Sequence, residues 1–216
     1  MTIGIVGGTG DIGEGIAMRL SPLFEVIVGS REIEKARSTC EAGIETLKKR
    51  GQTCSLKGVS NQKAIDDADV VILAIPFRHL TATLETLDGF EGKIVISPVN
   101  PMEKRDYFTF VPPPEGSAAL LIKKMLPSSA RICTAFNTIA ANRWKLLDEE
   151  LSYSVPVCGD DTGAKQQVMA IVDRVSKLHA FDAGPLGASS MVESLTPLLL
   201  NIARYNKMKD VGIQFR

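Results

Sequence analysis

Close to the N-terminus, the apolar run Thr2–Val6 leads straight into Gly8, Gly10 and Gly13 at G-x-G-x-x-G spacing. Between a strand and a helix, such glycines do three things. Gly8 allows the tight turn, Gly10 lets the backbone approach a pyrophosphate, and Gly13 lets the helix pack closely on the strand. The free N–H groups at the helix start, around Asp11 and Ile12, add positive potential for phosphate. Asp11 is the odd member, because a carboxylate facing a pyrophosphate would repel it. It is expected to point away or to cap the helix, which leaves Thr9 as the side-chain donor. A purely structural strand–helix turn would use the same glycines, so the surroundings must decide.

The next apolar run narrows the ligand. EVIVGSRE ends in Gly29-Ser30-Arg31, with no acid at the tip, where an NAD site usually sets Asp or Glu on the ribose hydroxyls. Ser30 and Arg31 offer donors instead, and Lys35 follows Arg31 on the same face of the coming helix. Arg31 as a planar fork and Lys35 as a point charge suit a ribose 2′-phosphate, so NADP(H) is expected over NAD(H). Glu32 and Glu34 stand close by, and pairing with them on a solvated surface would use the same two cations. Two proline-bearing loops follow later apolar runs: Ile75-Pro76-Phe77 and Ser97-Pro98-Val99-Asn100-Pro101. Prolines past strand ends stiffen loops that can wall a nicotinamide, with Phe77 packing on the ribose or ring or simply in the core. His79 is a possible acid but is expected to be structural or solvent-facing, as is His179. Cys40, Cys54, Cys133 and Cys158 are scattered, so no metal site is expected.

The elements that would carry these residues alternate regularly. Candidate strands are 2–6, 25–28, 69–75, 93–96 and 131–135, with helix-like stretches at 12–20, 32–49, 61–67, 80–87 and 117–125. VVILAI and IVIS are apolar on both faces, as expected where helices cover both sides of a parallel sheet. The pattern reads as α/β, a doubly wound (Rossmann) parallel sheet with ligands along the strand C-terminal edge. VPPPEGS interrupts the rhythm as an extended loop, with Ser117 placed to cap the helix that follows. After residue 142 the pattern changes to strands at 154–158 and 179–182 around a helix at 162–177, then a last helix at 189–205. Met191, Leu195, Leu198, Leu199, Ile202 and Tyr205 mark an apolar face on that helix. Two parts are therefore expected: a dinucleotide-binding domain over 1–142, and a smaller C-terminal α/β unit over 143–216 packed on it.

Composition sets the outer limits. The chain has 216 residues, is 44% hydrophobic and 23% charged, and balances 25 Lys+Arg against 25 Asp+Glu. That is an ordinary globular composition with no global field for nucleic acid or an anionic membrane. The longest apolar runs fall far short of a bilayer span, and no basic n-region precedes the first strand, so a cytoplasmic protein is expected.

Taken together, GGTGDIGEGIAMRL, VGSRE with Lys35, VVILAIPF, ISPVNP, VPVCGDD, FDAGPL and VESLTPLLLNIARYNKMKDVGI resemble one family across essentially the whole chain. It is the NADPH-dependent reductases of the deazaflavin coenzyme F420, the F420H2:NADP oxidoreductases. The C-terminal series is the specific part, although it recurs in the reductase domains of membrane ferric reductases. The resemblance implies reversible hydride transfer between NADP(H) and coenzyme F420, with the deazaflavin in a cleft between the two parts. Two cofactors then supply the chemistry, and no indispensable catalytic acid is expected. It further implies that Ala141 contacts the nicotinamide end, that N–H groups at Val211-Gly212 face the deazaflavin, and that the chain forms a homodimer through its last helix. The rival readings are a reductase with a flavin or ferric acceptor, and a protein that senses NADP(H) without turnover.

Overall fold

The computed structural model describes every residue except Asp210. In chain order the first half comprises β1 (Thr2–Val6), α1 (Asp11–Leu20), β2 (Glu25–Ser30), α2 (Ile33–Lys49), β3 (Ser55–Ser60), α3 (Asn61–Asp66), β4 (Val70–Leu73), α4 (Phe77–Leu84) and β5 (Ile94–Ser97). The second half comprises β6 (Met102–Lys104), β7 (Phe108–Phe110), α5 (Ala118–Met125), β8 (Arg131–Thr134), α6 (Ala141–Lys145), β9 (Tyr153–Gly159), α7 (Thr162–Arg174), β10 (Leu178–Asp182) and α8 (Ser189–Tyr205).

One sheet runs in the order β10-β9-β8-β5-β4-β1-β2-β3, and every pairing in it is parallel except β8 with β9. The chain moves outward from β1 to β3 and then returns to lay β4 beside β1. The β1–β4 boundary is thus the switch point, where the loops leave in opposite directions and open a crevice. The expected doubly wound parallel sheet is what folds. β9 and β10, parallel to each other, extend the same sheet on its far edge.

The double-sided apolar runs explain the core. Ile3, Ile5, Ile72, Ile94 and Ile96 pack on one face, and Val6, Val71, Leu73 and Val95 on the other. Burying each such side chain is worth about 1.5–3 kcal/mol. Side-chain caps set three helix starts: Ser60 accepts from Lys63 N (3.2 Å), Ser117 from Leu120 N (3.0 Å) and Asp161 from Ala164 N (2.6 Å). The Ser117 cap is the expected one.

Some elements differ from the sequence reading. β3 was not expected, because Ser55–Ser60 carries weak apolar signal and only Val59 of it is buried. The β6–β7 hairpin has strands of three residues each, in a stretch to which the sequence reading assigned no strand. β2 continues to Ser30, which carries the predicted donor to the very end of the strand. The last helix has the expected bounds, but much of its marked apolar face is open. Met191, Leu198, Ile202 and Tyr205 are exposed, while Ser189, Val192, Glu193 and Pro197 are buried.

Candidate functional site

The glycine loop lies at the C-terminal end of β1. Gly7 N donates to Asn61 Oδ1 (3.0 Å), Gly8 N to Gly29 O (2.9 Å) and Gly10 N to Gly7 O (3.1 Å). Gly7 has φ of 72°, a left-handed conformation that side-chain-bearing residues rarely adopt. Any Cβ on Gly13 would lie 2.6 Å from Gly8 Cα, so only glycine lets α1 start this close to the loop. Asp11 is drawn into an ion pair at the start of α1, with Lys145 Nζ bonded to its Oδ1 (2.8 Å) and to Glu14 Oε2 (2.7 Å). The Lys145 hydrogen bond holds the Asp11 carboxyl below its ordinary range. The α1 N-terminus therefore keeps its positive potential on the loop side.

A cavity of about 210 Å³ opens beside this loop, lined by Thr9, Gly10, Ser30, Arg31 and Lys35 among others. Ser30 Oγ accepts from Glu32 N (3.2 Å), which fixes the turn that presents Arg31. Glu34 pairs with Arg37 at 2.8 Å, and among the described residues neither Arg31 nor Lys35 has an ion-pair partner. Glu32 also lines this cavity. Two cations and two hydroxyls beside a glycine loop form a donor set suited to a phosphomonoester.

A larger cleft of about 610 Å³ continues from the first, the two sharing Gly10, Ala74, Ile75 and Pro76. Its volume falls within the range of small-molecule sites, about 300–1,000 Å³. Ile12, Phe77, Val99 and Ala141 give it apolar walls, and Met102 and Glu103 of the hairpin close one side. The charged side chains lining it are Asp11, Arg78 and Glu103, and two of these are ion-paired, Asp11 with Lys145 and Glu103 with Arg105.

Three devices hold these walls. Arg19 of α1 donates to the carbonyls of Arg143, Trp144, Leu146 and Glu149, gathering the C-terminal end of α6. Trp144 is fully buried against α1, where a Cβ on Gly15 would lie 2.4 Å from its own, and it packs edge-on against Phe136 at 5.3 Å. Ala141 is thus set over the cleft by the packing of α6 on α1, the helix that follows the glycine loop. Behind Val99, Asn137 donates to Val99 O (3.1 Å) while its carbonyl accepts from Asn100 Nδ2 (2.9 Å) and Thr196 Oγ1 (2.6 Å). Phe136, buried with φ of 69°, carries the backbone strain that turns β8 into this network.

The structure gathers most of the residues picked from the sequence. Thr9, Ser30, Arg31 and Lys35 line the smaller cavity; Asp11, Ile12, Phe77, Val99 and Ala141 line the larger; Gly10, Ile75 and Pro76 line both. Gly8 lines neither; it sits packed against β1 and β2, where a Cβ would lie 2.9 Å from Val28 Cγ1, and its N–H donates to Gly29 O. Val211 also lines neither; its neighbour Gly212 lies against Tyr153, where a Cβ would sit 2.0 Å from the ring, and Ile213 O accepts from Ser154 N. His79 lines the smaller cavity, with Nε2 accepting from Arg78 Nε at 3.0 Å. Asn100 comes with the proline-bearing loop picked out from the sequence, whereas Asn61, Arg78, Met102 and Glu103 were not anticipated. Of the latter, only Asn61 left a trace in the sequence, following the capping residue Ser60 at the start of a helical stretch.

Comparison with known proteins agrees with this geometry. The family model for NADP oxidoreductase, coenzyme F420-dependent, matches residues 2–101. The F420-dependent NADP reductase of Methanocaldococcus jannaschii is 34% identical, covering 99% of this chain and 97% of the relative. The enzyme of the same name from Methanothermobacter marburgensis is 30% identical, covering 99% and 97%. The crystal structure of a protein assigned as an F420-dependent NADP reductase from Arthrobacter sp. FB24 superposes with a TM-score of 0.80. It is 21% identical, covers 100% of this chain and 99% of that one, and speaks to the fold.

Proposed function

The chain belongs to the F420-dependent NADP reductases, and on that premise we propose how its cleft serves hydride transfer between NADP(H) and the deazaflavin coenzyme F420. The carrying observation is a cavity with the Ser30 hydroxyl and two cations, Arg31 and Lys35, that have no ion-pair partner among the described residues, opening directly into a larger, mostly apolar cleft. The donor set fits a 2′-phosphate, the glycine loop fits a pyrophosphate, and the apolar walls fit planar rings. NADP(H) and coenzyme F420 supply the hydride chemistry between them.

The protein's part is positional. Arg31, Lys35, Ser30 and Thr9 hold the phosphate end, and the Gly10–Ile12 backbone faces the pyrophosphate. Ile75, Pro76, Phe77, Val99 and Ala141 wall the ring end and exclude water from it. Such alignment supplies much of the acceleration in reactions whose partners bring their own electronics. Residues 1–142 act as the dinucleotide-binding domain, and 143–216 as the smaller unit that forms the second-cofactor cleft. Val211 belongs to this reading as a backbone donor toward the deazaflavin. The homodimer and the cytoplasmic location belong to it too. The exposed apolar side of α8 supports the first, and for the second no helix among the described residues is long and apolar enough to cross a membrane.

The test is to mix the protein with NADPH and oxidised coenzyme F420 and follow the deazaflavin visible band. Its loss on a catalytic timescale is the expected result. Turnover with flavin or ferric acceptors alone would give the acceptor to another class, and binding without turnover would leave a nucleotide sensor.

A further inference from the structure

We propose that Asn201 is a positioning residue for the second cofactor: it holds the β6–β7 hairpin that closes the deazaflavin side of the cleft. The proposal rests on the functional reading above. The hairpin pairs Met102 with Phe110, Glu103 with Thr109 and Lys104 with Phe108. Arg105 N donates to Tyr107 O (3.1 Å) and Val111 N to Pro101 O (3.0 Å), which sets the ladder bonds on alternate residues. The N–H and C=O of Phe108 therefore point away from β6, as on any open edge strand. Asn201 of α8 takes up both. Phe108 N donates to its Oδ1 (2.8 Å), and its Nδ2 donates to Phe108 O (2.7 Å). The carboxamide thus stands in for a third strand, and Arg204 one turn later donates to Asp106 O at the hairpin turn.

Two strands this short are marginal alone, so the hairpin takes its position from what it is fastened to. Met102 and Glu103 of β6 line the larger cleft but not the smaller cavity. Loosening the clamp moves the acceptor wall and leaves the NADP(H) cavity, none of whose lining residues belongs to the hairpin, in place.

In Asn201→Ala, the KM for coenzyme F420 is expected to rise about tenfold, the scale of two lost hydrogen bonds. NADPH affinity by fluorescence titration should stay within about twofold, and the Phe108 amide should lose its protection from hydrogen exchange. An unchanged KM for coenzyme F420, or an equal loss of affinity for both cofactors, would overturn the assignment. Should that variant not fold, Asn201→Asp serves, since it keeps the acceptor for Phe108 N–H and sets an oxygen against Phe108 C=O. It should shift the same KM in the same direction, and no shift counts against the clamp. If the wild-type chain binds NADPH yet never reduces coenzyme F420, the functional reading fails and this one with it. If it reduces coenzyme F420 and the variants match it, this inference alone fails.

Discussion

In the proposed reading, nucleotide choice turns on Arg31, which lines the smaller cavity. It has no ion-pair partner among the described residues, because Glu34 is taken by Arg37. A 2′-phosphate would meet it with no competing contact to break. Arg31→Ala is expected to raise the KM for NADPH by about ten- to a hundredfold, the scale of one lost charge-assisted bond. The KM for NADH should barely move, and equal rises would remove the 2′-phosphate assignment. His79 makes the opposite case. It lines the smaller cavity, accepts a bond from Arg78 and is not among the residues lining the larger cleft. Steady-state kinetics of His79→Gln should keep turnover within about tenfold, since a general acid is typically worth 10²–10⁴. That Thr9, Gly10, Ser30, Arg31 and Lys35 share one cavity was legible because residue types at fixed spacing after a strand carry their own meaning. Asn61 and Asn201 were not, because each acts on backbone groups far away in sequence.

At the scale of elements, legibility followed two-sided burial. β4 and β5 read clearly from VVIL and IVIS, every residue of which is buried. β3 did not, being an edge strand with mostly half-exposed residues, and the antiparallel joining of β9 to β8 is a long-range pairing that no local pattern encodes. The junction of α8 with α5 was equally hidden. Glu193, fully buried in α8, accepts from Ala118 N (2.7 Å) and Ala119 N (3.0 Å) at the start of α5. Burial pushes its carboxyl up to about 7, despite those two bonds pulling the other way. The folded state then binds this proton more tightly than the unfolded chain, whose carboxyl titrates near the ordinary 4.5. The stabilising contribution is complete below about pH 4.5 and is lost as pH rises through about 7. Denaturant unfolding of the wild type across pH 4–8 should show this decline, and Glu193→Gln should flatten it. The α1–α6 contact is held by close packing instead. Gly15→Ala would drive a Cβ into Trp144, so differential scanning should show Tm lowered by roughly 3–10 °C.

For the whole molecule, α8 is where the parts meet. Its buried side fastens α5 through Glu193, the Ser117–Ser189 hydroxyl contact (2.7 Å) ties the same two helices, and Thr196 and Asn201 reach the Asn137 and Phe108 backbone behind two walls of the larger cleft. Its other side presents Met191, Leu198, Ile202 and Tyr205, with 66%, 54%, 37% and 67% of each exposed. Apolar side chains at helical spacing that do not pack inward form a contiguous surface a monomer would not ordinarily keep open. A second copy of the same helix is the simplest complement, since a twofold axis through one apolar face is self-complementary. Multi-angle light scattering is therefore expected to give the mass of two chains at micromolar concentration. Replacing both Leu198 and Ile202 by Asp should give the mass of one, because two carboxylates cannot be buried unpaired in such a seam. The double variant touches only the outward side of α8, so NADPH binding should survive in the monomer. A wild type that runs as one chain would leave this face without a partner and remove the dimer from the reading. A variant that loses NADPH binding along with its mass would instead show that α8 supports the nucleotide cavity only when paired.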